Sequence, residues 1–193
     1  MTPQQQADKL NLFIGNFDNL IADTFESATF NLLADIKTRV FGEHEDTSGG
    51  KLGQYSTKPT LIGAKSFINK GGANTFFEAQ KKKEDGKWRT VKGKHLFVLD
   101  GGYKELRQIQ GRQTAEIDLQ YSFELAKSGL TTKIGSGVYQ VKFANLLSQN
   151  KGRGFEERRG KKVFYASNEE QKKAMSFVGK KIVGELKKAF GNV

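Results

Sequence analysis

Apolar residues recur every three or four positions along one early stretch, and this spacing constrains the fold more than any other feature of the sequence. The series consists of Phe17, Ile21, Phe25, Ala28, Leu32, Ile36 and Val40. Side chains three and four residues apart lie on the same face of an α-helix. The spacing therefore predicts an amphipathic helix over 17–41, about six turns long, and Gly42 is placed to end it.

Two capping boxes mark the starts of further helices. Thr2-Pro3-Gln4-Gln5 places a hydroxyl residue before a proline, with a glutamine three positions later. This pattern predicts a helix from the N-terminus to about Ile14, with Gly15-Asn16 as a break before the next helix. Ser167 and Glu170 repeat the pattern and predict a C-terminal helix over 168–190. Its apolar row is Ala174, Val178, Ile182, Leu186 and Phe190.

Strand patterns occupy the middle of the chain. Apolar residues at 117, 119, 121, 123 and 125 alternate with polar ones, which predicts a strand with one buried face over 117–125. Shorter strands are predicted at Trp88–Val91, His95–Leu99 and Lys162–Ala166, and a hairpin at 130–141 through Gly135-Ser136. The other predicted elements are a helix or edge strand at 61–68, a helix at 103–110 and a short helix at 141–150.

These elements predict an α+β fold in which a long N-terminal helix and a C-terminal helix pack on a small antiparallel β-sheet. A chain of 193 residues is long enough for one ordinary core, so we expect a single α+β domain over 1–193. Two segments rich in glycine and polar residues, 43–60 and 150–161, are interpreted as long flexible loops.

The net charge of +11 favours contact with anions. Residues 81–94 (KKKEDGKWRTVKGK) carry seven basic side chains and 151–162 (KGRGFEERRGKK) carry six, each against two acidic ones. The alternative is a solvated lysine-rich surface, and we expect Trp88 to turn inward to the core. The candidate interface or DNA-facing residues are Lys81, Lys82, Lys83, Lys87, Arg89, Arg153, Arg158, Arg159, Lys161 and Lys162.

The sequence offers no catalytic constellation. It has no phosphate-binding Gly-Lys-Ser/Thr motif and no dinucleotide fingerprint. His44-Glu45-Asp46 is the one metal-like cluster, and no second histidine lies nearby. The sequence contains no cysteine and no apolar run long enough to span a membrane. Its first residues lack the basic start and the apolar stretch of a secretory signal, so we do not expect one. We expect no enzymatic activity, no metal, no cofactor and no membrane partner.

Four segments in the second half of the chain follow a recognisable order. Trp88 precedes a Tyr-containing helical segment, Tyr103–Arg107, and residues 117–128 follow as an apolar strand that leads to a turn containing Leu125 and Ser128. The others are Ile134–Tyr139 with Phe143–Asn145, and Lys162–Glu170, which leads into the last helix. In this order, over about 85–190, they resemble the phage virion-morphogenesis family (tail completion, head–tail joining, neck proteins) of the Mu-like and HK97-like kind.

The resemblance implies a structural protein of the head–tail connector, built into a homo-oligomeric ring that joins portal to tail. The implied partners are portal or adaptor proteins, tail-tube or other neck proteins and, where a loop faces the channel, packaged DNA. The implied location is the virion neck or tail region, and the host cytoplasm during assembly. The alternative is a different class of protein, a basic nucleic-acid-binding protein that acts outside the virion and binds phosphates with the candidate residues.

Overall fold

The fold is that of a computed structural model, which describes residues 2–82, 86–117, 119, 127–135, 138–144 and 146–191. It confirms the predicted α+β class, with a long N-terminal helix, a C-terminal helix and small antiparallel sheets. The chain divides into two compact units, Met1–Gly50 with Phe123–Val193 (the first unit) and Lys51–Ser122 (the second unit). The number of domains stays a prediction.

Helix α1 (Pro3–Lys37) is continuous, so the predicted break at Gly15-Asn16 is wrong. The Asn16 side chain donates to the carbonyl of Leu12, 3.1 Å away within the same helix. A glycine costs a helix only about 1 kcal/mol relative to alanine, which the packing of neighbouring turns outweighs. The helix begins at the predicted cap, since Thr2 Oγ1 accepts the Gln5 N–H. It ends in a π-helical turn, Thr38–Glu43.

The C-terminal helix lies antiparallel to α1 in the first unit. The structure confirms its capping box: the Glu170 N–H donates to Ser167 Oγ (3.2 Å), and the Ser167 N–H donates to Glu170 Oε2 (2.7 Å). This helix spans Asn168–Phe190 and is numbered α5 in chain order. Phe13 and Phe190 meet at one end of the helix pair with ring centroids 5.4 Å apart. Lys173 Nζ lies 2.8 Å from Asp35 Oδ1 at the other end.

Strands β4 (Gly129–Gly135) and β5 (Val138–Phe143) form the predicted hairpin beside α1. The Tyr139 hydroxyl donates to the carbonyl of Ala22 (3.1 Å), and Lys37 Nζ donates to the carbonyl of Gly129 (3.3 Å). These two bonds attach the hairpin to the second half of α1.

Helix α4 (Leu146–Arg159) occupies most of the segment that was predicted as a loop over 150–161, so that prediction is wrong. Gly152 in this helix allows close packing. A Cβ atom at Gly152 would lie 3.1 Å from ring carbons of both Phe143 and Phe164. Residues 162–166 form no strand, which corrects a second prediction. Their backbone groups bond to the side chains of Glu156 and Arg39 instead.

The second unit contains a three-stranded antiparallel sheet whose middle strand is the last of the three in the chain. Its strands are β1 (Thr60–Ile62), β2 (Trp88–Val91) and β3 (Lys94–Leu99), and its helices are α2 (Lys70–Lys81) and α3 (Gly102–Ile109). The predicted strands at 88–91 and 95–99, the helix at 103–110 and the inward-facing Trp88 are confirmed. The aromatic side chains in its core are Phe67, Phe76, Phe77, Trp88 and Phe97.

Two further predictions concern the connections. Residues 44–59 contain no helix or strand, as expected for the first loop. The alternating strand predicted at 117–125 falls on residues outside the described part of the chain, except for Ile117 and Leu119. Ile117 is buried, and its N–H donates to the carbonyl of Gly53, 2.9 Å away.

Candidate interface at the end of helix α4

The candidate residues fall into two groups that belong to different units. Lys81, Lys82, Lys87 and Arg89 lie in the second unit, and Lys83 lies outside the described residues. The other candidates, Arg153, Arg158, Arg159, Lys161 and Lys162, lie in the first unit. Each group is therefore a candidate surface of its own unit.

Three members of the second-unit group, Lys81, Lys87 and Arg89, have local acceptors. Lys81 Nζ lies 2.8 Å from Glu78 Oε1, and this hydrogen bond lowers the pKa of Glu78. Lys87 Nζ lies 2.9 Å from Asp100 Oδ2. Arg89 donates to the backbone carbonyls of Gly86 and Trp88. Exposed pairs of this kind contribute little to stability, and their partners dilute the positive charge of this surface.

The arginines of α4 do not share one face. At about 100° per residue, Arg153 points away from both Arg158 and Arg159. Arg153 Nε binds Glu157 Oε1 at 2.8 Å along the exposed side of the helix. Arg158 Nε donates to the carbonyl of Gly154 (2.7 Å). Arg158 and Arg159 occupy the last turn, where cations are stabilised by the negative end of the helix dipole.

The segment that follows α4 is fixed from two sides. Glu156 Oε1 accepts the N–H groups of Val163 (2.8 Å) and Phe164 (2.9 Å). The guanidinium of Arg39 donates to the carbonyls of Val163 (3.1 Å) and Tyr165 (2.8 Å). Charged side chains here take the place of a neighbouring strand, because they satisfy the backbone donors and acceptors that a sheet would pair.

Lys161 is held by a buried carboxylate. Asp46 Oδ2 lies 3.0 Å from Lys161 Nζ, and Asp46 Oδ1 accepts hydrogen bonds from the Ser48 N–H, the Ser48 hydroxyl and the Gly50 N–H. Burial by itself would raise the pKa of Asp46, but the bonds from Ser48, Lys161 and Gly50 outweigh it and hold this pKa well below its usual value. Lys161 therefore has a structural role.

The exposed cations that remain at the end of α4 are Arg158, Arg159 and Lys162, here called the α4-end cations. They flank the 163–165 segment, whose backbone Glu156 and Arg39 hold in place, and the carbonyl of Lys162 itself accepts the Thr47 N–H (2.9 Å). A partner would therefore meet a surface that is already organised. Guanidinium groups bind carboxylates and phosphates bidentately. The α4-end cations are therefore the part of the predicted set that best fits an acidic protein surface or DNA.

Sequence reasoning missed the residue that organises this region. Arg39 is 7% exposed and directly precedes Val40, the last residue of the apolar row. Its Nε lies 2.8 Å from Glu170 Oε1. A helical pattern cannot distinguish a buried arginine from an exposed one beside the stripe. The capping box marked Glu170, but nothing in the spacing marked its partner.

A cavity of about 510 Å³ lies in the first unit beside α4. Aromatic and aliphatic side chains line it together with Lys37, Lys142, Arg153 and Glu156. Its volume lies within the usual range of ligand pockets.

Within the described part of the chain, no group of three or more histidine, cysteine or acidic side chains could hold a metal ion.

Comparison of the chain with protein-family models, with curated proteins and with solved structures finds no match. Among the residues that the structure describes, no helix is both long and apolar enough to cross a bilayer.

Proposed function

We propose that this chain is a structural component of a tailed-phage virion at the head–tail connector, in a ring that joins portal to tail. One observation carries the proposal: the four segments that resemble the virion-morphogenesis family occur in the family's order over about 85–190. The order of elements is compatible with it, since a long N-terminal helix precedes antiparallel strands and a capped C-terminal helix.

The α4-end cations supply a contact surface for this role. Arg158, Arg159 and Lys162 are exposed, and the polar groups of Glu156 and Arg39 fix the backbone of the 163–165 segment that follows them. A ring subunit needs different surfaces for different neighbours. We assign these cations to a carboxylate-bearing neighbour in the particle, or to DNA phosphate if they face the channel.

The test is made in the phage whose genome encodes the chain. A nonsense mutation in its gene should yield filled heads and free tails that do not join, and electron microscopy counts them. Mass spectrometry should find the chain in purified wild-type virions. Normal joining without the protein, or its absence from virions, would contradict the proposal.

Charge reversal tests the surface within the same system. The triple variant Arg158→Glu, Arg159→Glu and Lys162→Glu should lower the yield of joined particles. The matched control reverses three exposed lysines of the second unit, Lys65, Lys70 and Lys94, and should leave the yield unchanged. Equal yields from both variants would show that the α4-end cations are not a contact surface.

The net charge of +11 favours a second candidate, a nucleic-acid-binding protein that acts outside the virion. Size-exclusion chromatography with multi-angle light scattering, with and without DNA, separates the two. A protein–DNA complex that weakens steeply with salt, together with no binding to a portal, would favour the second candidate. Binding to portal or neck proteins without DNA would favour the first.

A further inference from the structure

The apolar stripe of α1 continues beyond the part of the helix that the first unit buries. Ala28 is 5% exposed and Ile36 6% exposed in the second half of α1. Towards the N-terminus the same stripe contains Leu10, Ile14 and Phe17, which are 46%, 62% and 37% exposed. The Tyr139–Ala22 hydrogen bond attaches the hairpin next to this transition. About five turns of α1 therefore extend past it with an uncovered apolar side.

Helix α5 carries a matching uncovered stripe at the same end. Val183 is 49% exposed and Phe190 37% exposed. The contact between Phe13 and Phe190 places the start of α1 beside the end of α5. Both elements belong to the first unit.

The two stripes lie on the same side of the helix pair. Viewed from the N-terminus of α1 at about 100° per residue, Leu10, Ile14 and Phe17 lie clockwise from Phe13, which contacts α5. Viewed from the N-terminus of α5, Val183 and Phe190 lie clockwise from the buried Val178. The two helices are antiparallel, so a clockwise offset on each of them, seen from its own N-terminus, places both stripes on the same side of the pair. Leu10, Ile14, Phe17, Val183 and Phe190 are here called the apolar face.

The charges flanking the apolar face indicate what covers it. Residues 3–30 of α1 carry four carboxylates and one lysine, whereas α5 carries six lysines and three glutamates. Two copies that stacked α1 on α1 would bring like charges together. Two copies that stack α1 on the partner's α5 bring opposite charges together twice, once on each side of a two-fold axis.

The area of the apolar face sets the expected affinity of the dimer. Eighteen residues of helix are about 27 Å long, and two packed helices are about 20 Å wide, so each copy offers roughly 500 Å². A face-to-face pair buries about 1,000 Å² in total, which is the lower end for a specific interface. The interface suits a reversible dimer that forms at micromolar concentrations.

We propose that the apolar face binds the same face of a second copy of this chain. The two-fold axis runs along the helices, and α1 of each copy lies antiparallel to the partner's α5. The four helices then form a bundle around the two apolar faces. Because Phe13 is level with Phe190, Asp18 lies about 8 Å beyond that level along α1, and the partner's Lys187 lies about 5 Å beyond it in the same direction, so the two residues are within about 3 Å of one level. Both residues lie at the outer rim of the pair. This inference does not rest on the proposed function.

Sedimentation equilibrium of the full chain tests the proposal. The wild type should show a reversible monomer–dimer equilibrium. Ile14→Asp should weaken the dimer at least about 100-fold, because the two-fold axis places two charges in the apolar interface. The control is Leu12→Asp: Leu12 is 68% exposed but lies on the opposite side of α1. This variant should dimerise like the wild type. Far-UV circular dichroism should show that both variants keep their helices.

Disulfide trapping tests the pairing of helices, since the chain contains no cysteine. The double variant Asp18→Cys and Lys187→Cys should form covalent dimers on mild oxidation, and Asp18→Cys alone should form few. A wild type that stays monomeric at every concentration would overturn the proposal. Equal trapping by Asp18→Cys alone would also overturn it, because α1 would then face α1. So would equal weakening by Leu12→Asp and Ile14→Asp.

Discussion

Arg39 Nε and Glu170 Oε1 form a buried ion pair 2.8 Å long, which joins the end of α1 to the first turn of α5. Each partner has a second role. Arg39 also donates to the carbonyls of Glu45, Val163 and Tyr165, and Glu170 completes the capping box of α5. The pair thus connects both long helices to the segment that carries the α4-end cations.

Glu170→Gln should lower the free energy of unfolding by about 3–5 kcal/mol, because it leaves the guanidinium of Arg39 buried without a counter-charge. Arg39→Met should cost a similar amount, since three backbone carbonyls would lose their donor. Urea denaturation monitored by circular dichroism measures both effects. The control is Lys173→Met, which breaks the exposed pair with Asp35 and should cost about 0–1 kcal/mol. A Glu170→Gln loss no larger than the control's would contradict this role.

Asp46 should make the stability of the fold depend on pH. Its folded-state pKa lies below the unfolded value of about 3.9, so its contribution is complete above that value. The contribution is lost as pH falls through the folded-state pKa, because the unfolded chain then binds more protons. Asp46→Asn should cost about 1–3 kcal/mol at pH 7, and the difference from wild type should shrink below about pH 4.

Urea denaturation of both proteins at stepped pH measures this difference. The exposed Asp23 provides the control. Asp23→Asn should change the free energy of unfolding by less than about 0.5 kcal/mol at pH 7. A difference between wild type and Asp46→Asn that stayed constant down to pH 3 would show that the carboxylate of Asp46 is not what stabilises the turn.

The parts of the fold that the sequence predicted are those whose signals are local. The capping boxes at Thr2 and Ser167 specify helix starts through neighbouring backbone groups, and both are present. Strand β3 follows from a short apolar run, and strand β2 from the segment that begins at Trp88 and is broken at Gly93. In these cases the residues that determine the structure lie within a few positions of each other.

The errors arose where distant residues decide the structure. The glycines and arginines of 150–161 have the composition of a loop, but Phe164 and Phe143 pack on Gly152 and favour a helix there. The candidate site was likewise only partly predictable. Composition identified the cations of the site. It did not show that Lys161 donates a hydrogen bond to Asp46, which lies more than 100 positions away in the chain. Long-range contacts of this kind leave no period in the sequence.

The corrected helix α4 gives a direct test, because two of its glycines have different surroundings. Gly152→Ala should destabilise the protein by about 1–3 kcal/mol, since the new methyl group would press on the rings of Phe143 and Phe164. A Cβ atom at Gly154 would meet only the guanidinium of Arg158, at an ordinary contact distance of 3.9 Å, so Gly154→Ala should stabilise the helix by up to about 1 kcal/mol. Thermal unfolding measures both. Neutral effects at both positions would favour the loop that the composition predicted.

Gly102 provides the last prediction, in the second unit. It lies at the start of α3 with φ of 64°, a conformation that disfavours residues with a side chain. A Cβ atom at this position would lie 2.3 Å from the carbonyl oxygen of Lys58 and 2.8 Å from that of Ser56. The Ser56 carbonyl also accepts the Lys104 N–H at 3.0 Å, so the 56–58 backbone cannot retreat without losing that bond. Gly102→Ala should therefore destabilise the protein by at least about 2 kcal/mol.

The control is Gly179→Ala in α5, where nothing lies within 4 Å and stability should rise by up to about 1 kcal/mol. Urea denaturation measures the free energy of unfolding of both variants. A Gly102→Ala protein as stable as wild type would show that the 56–58 segment does not pack against α3.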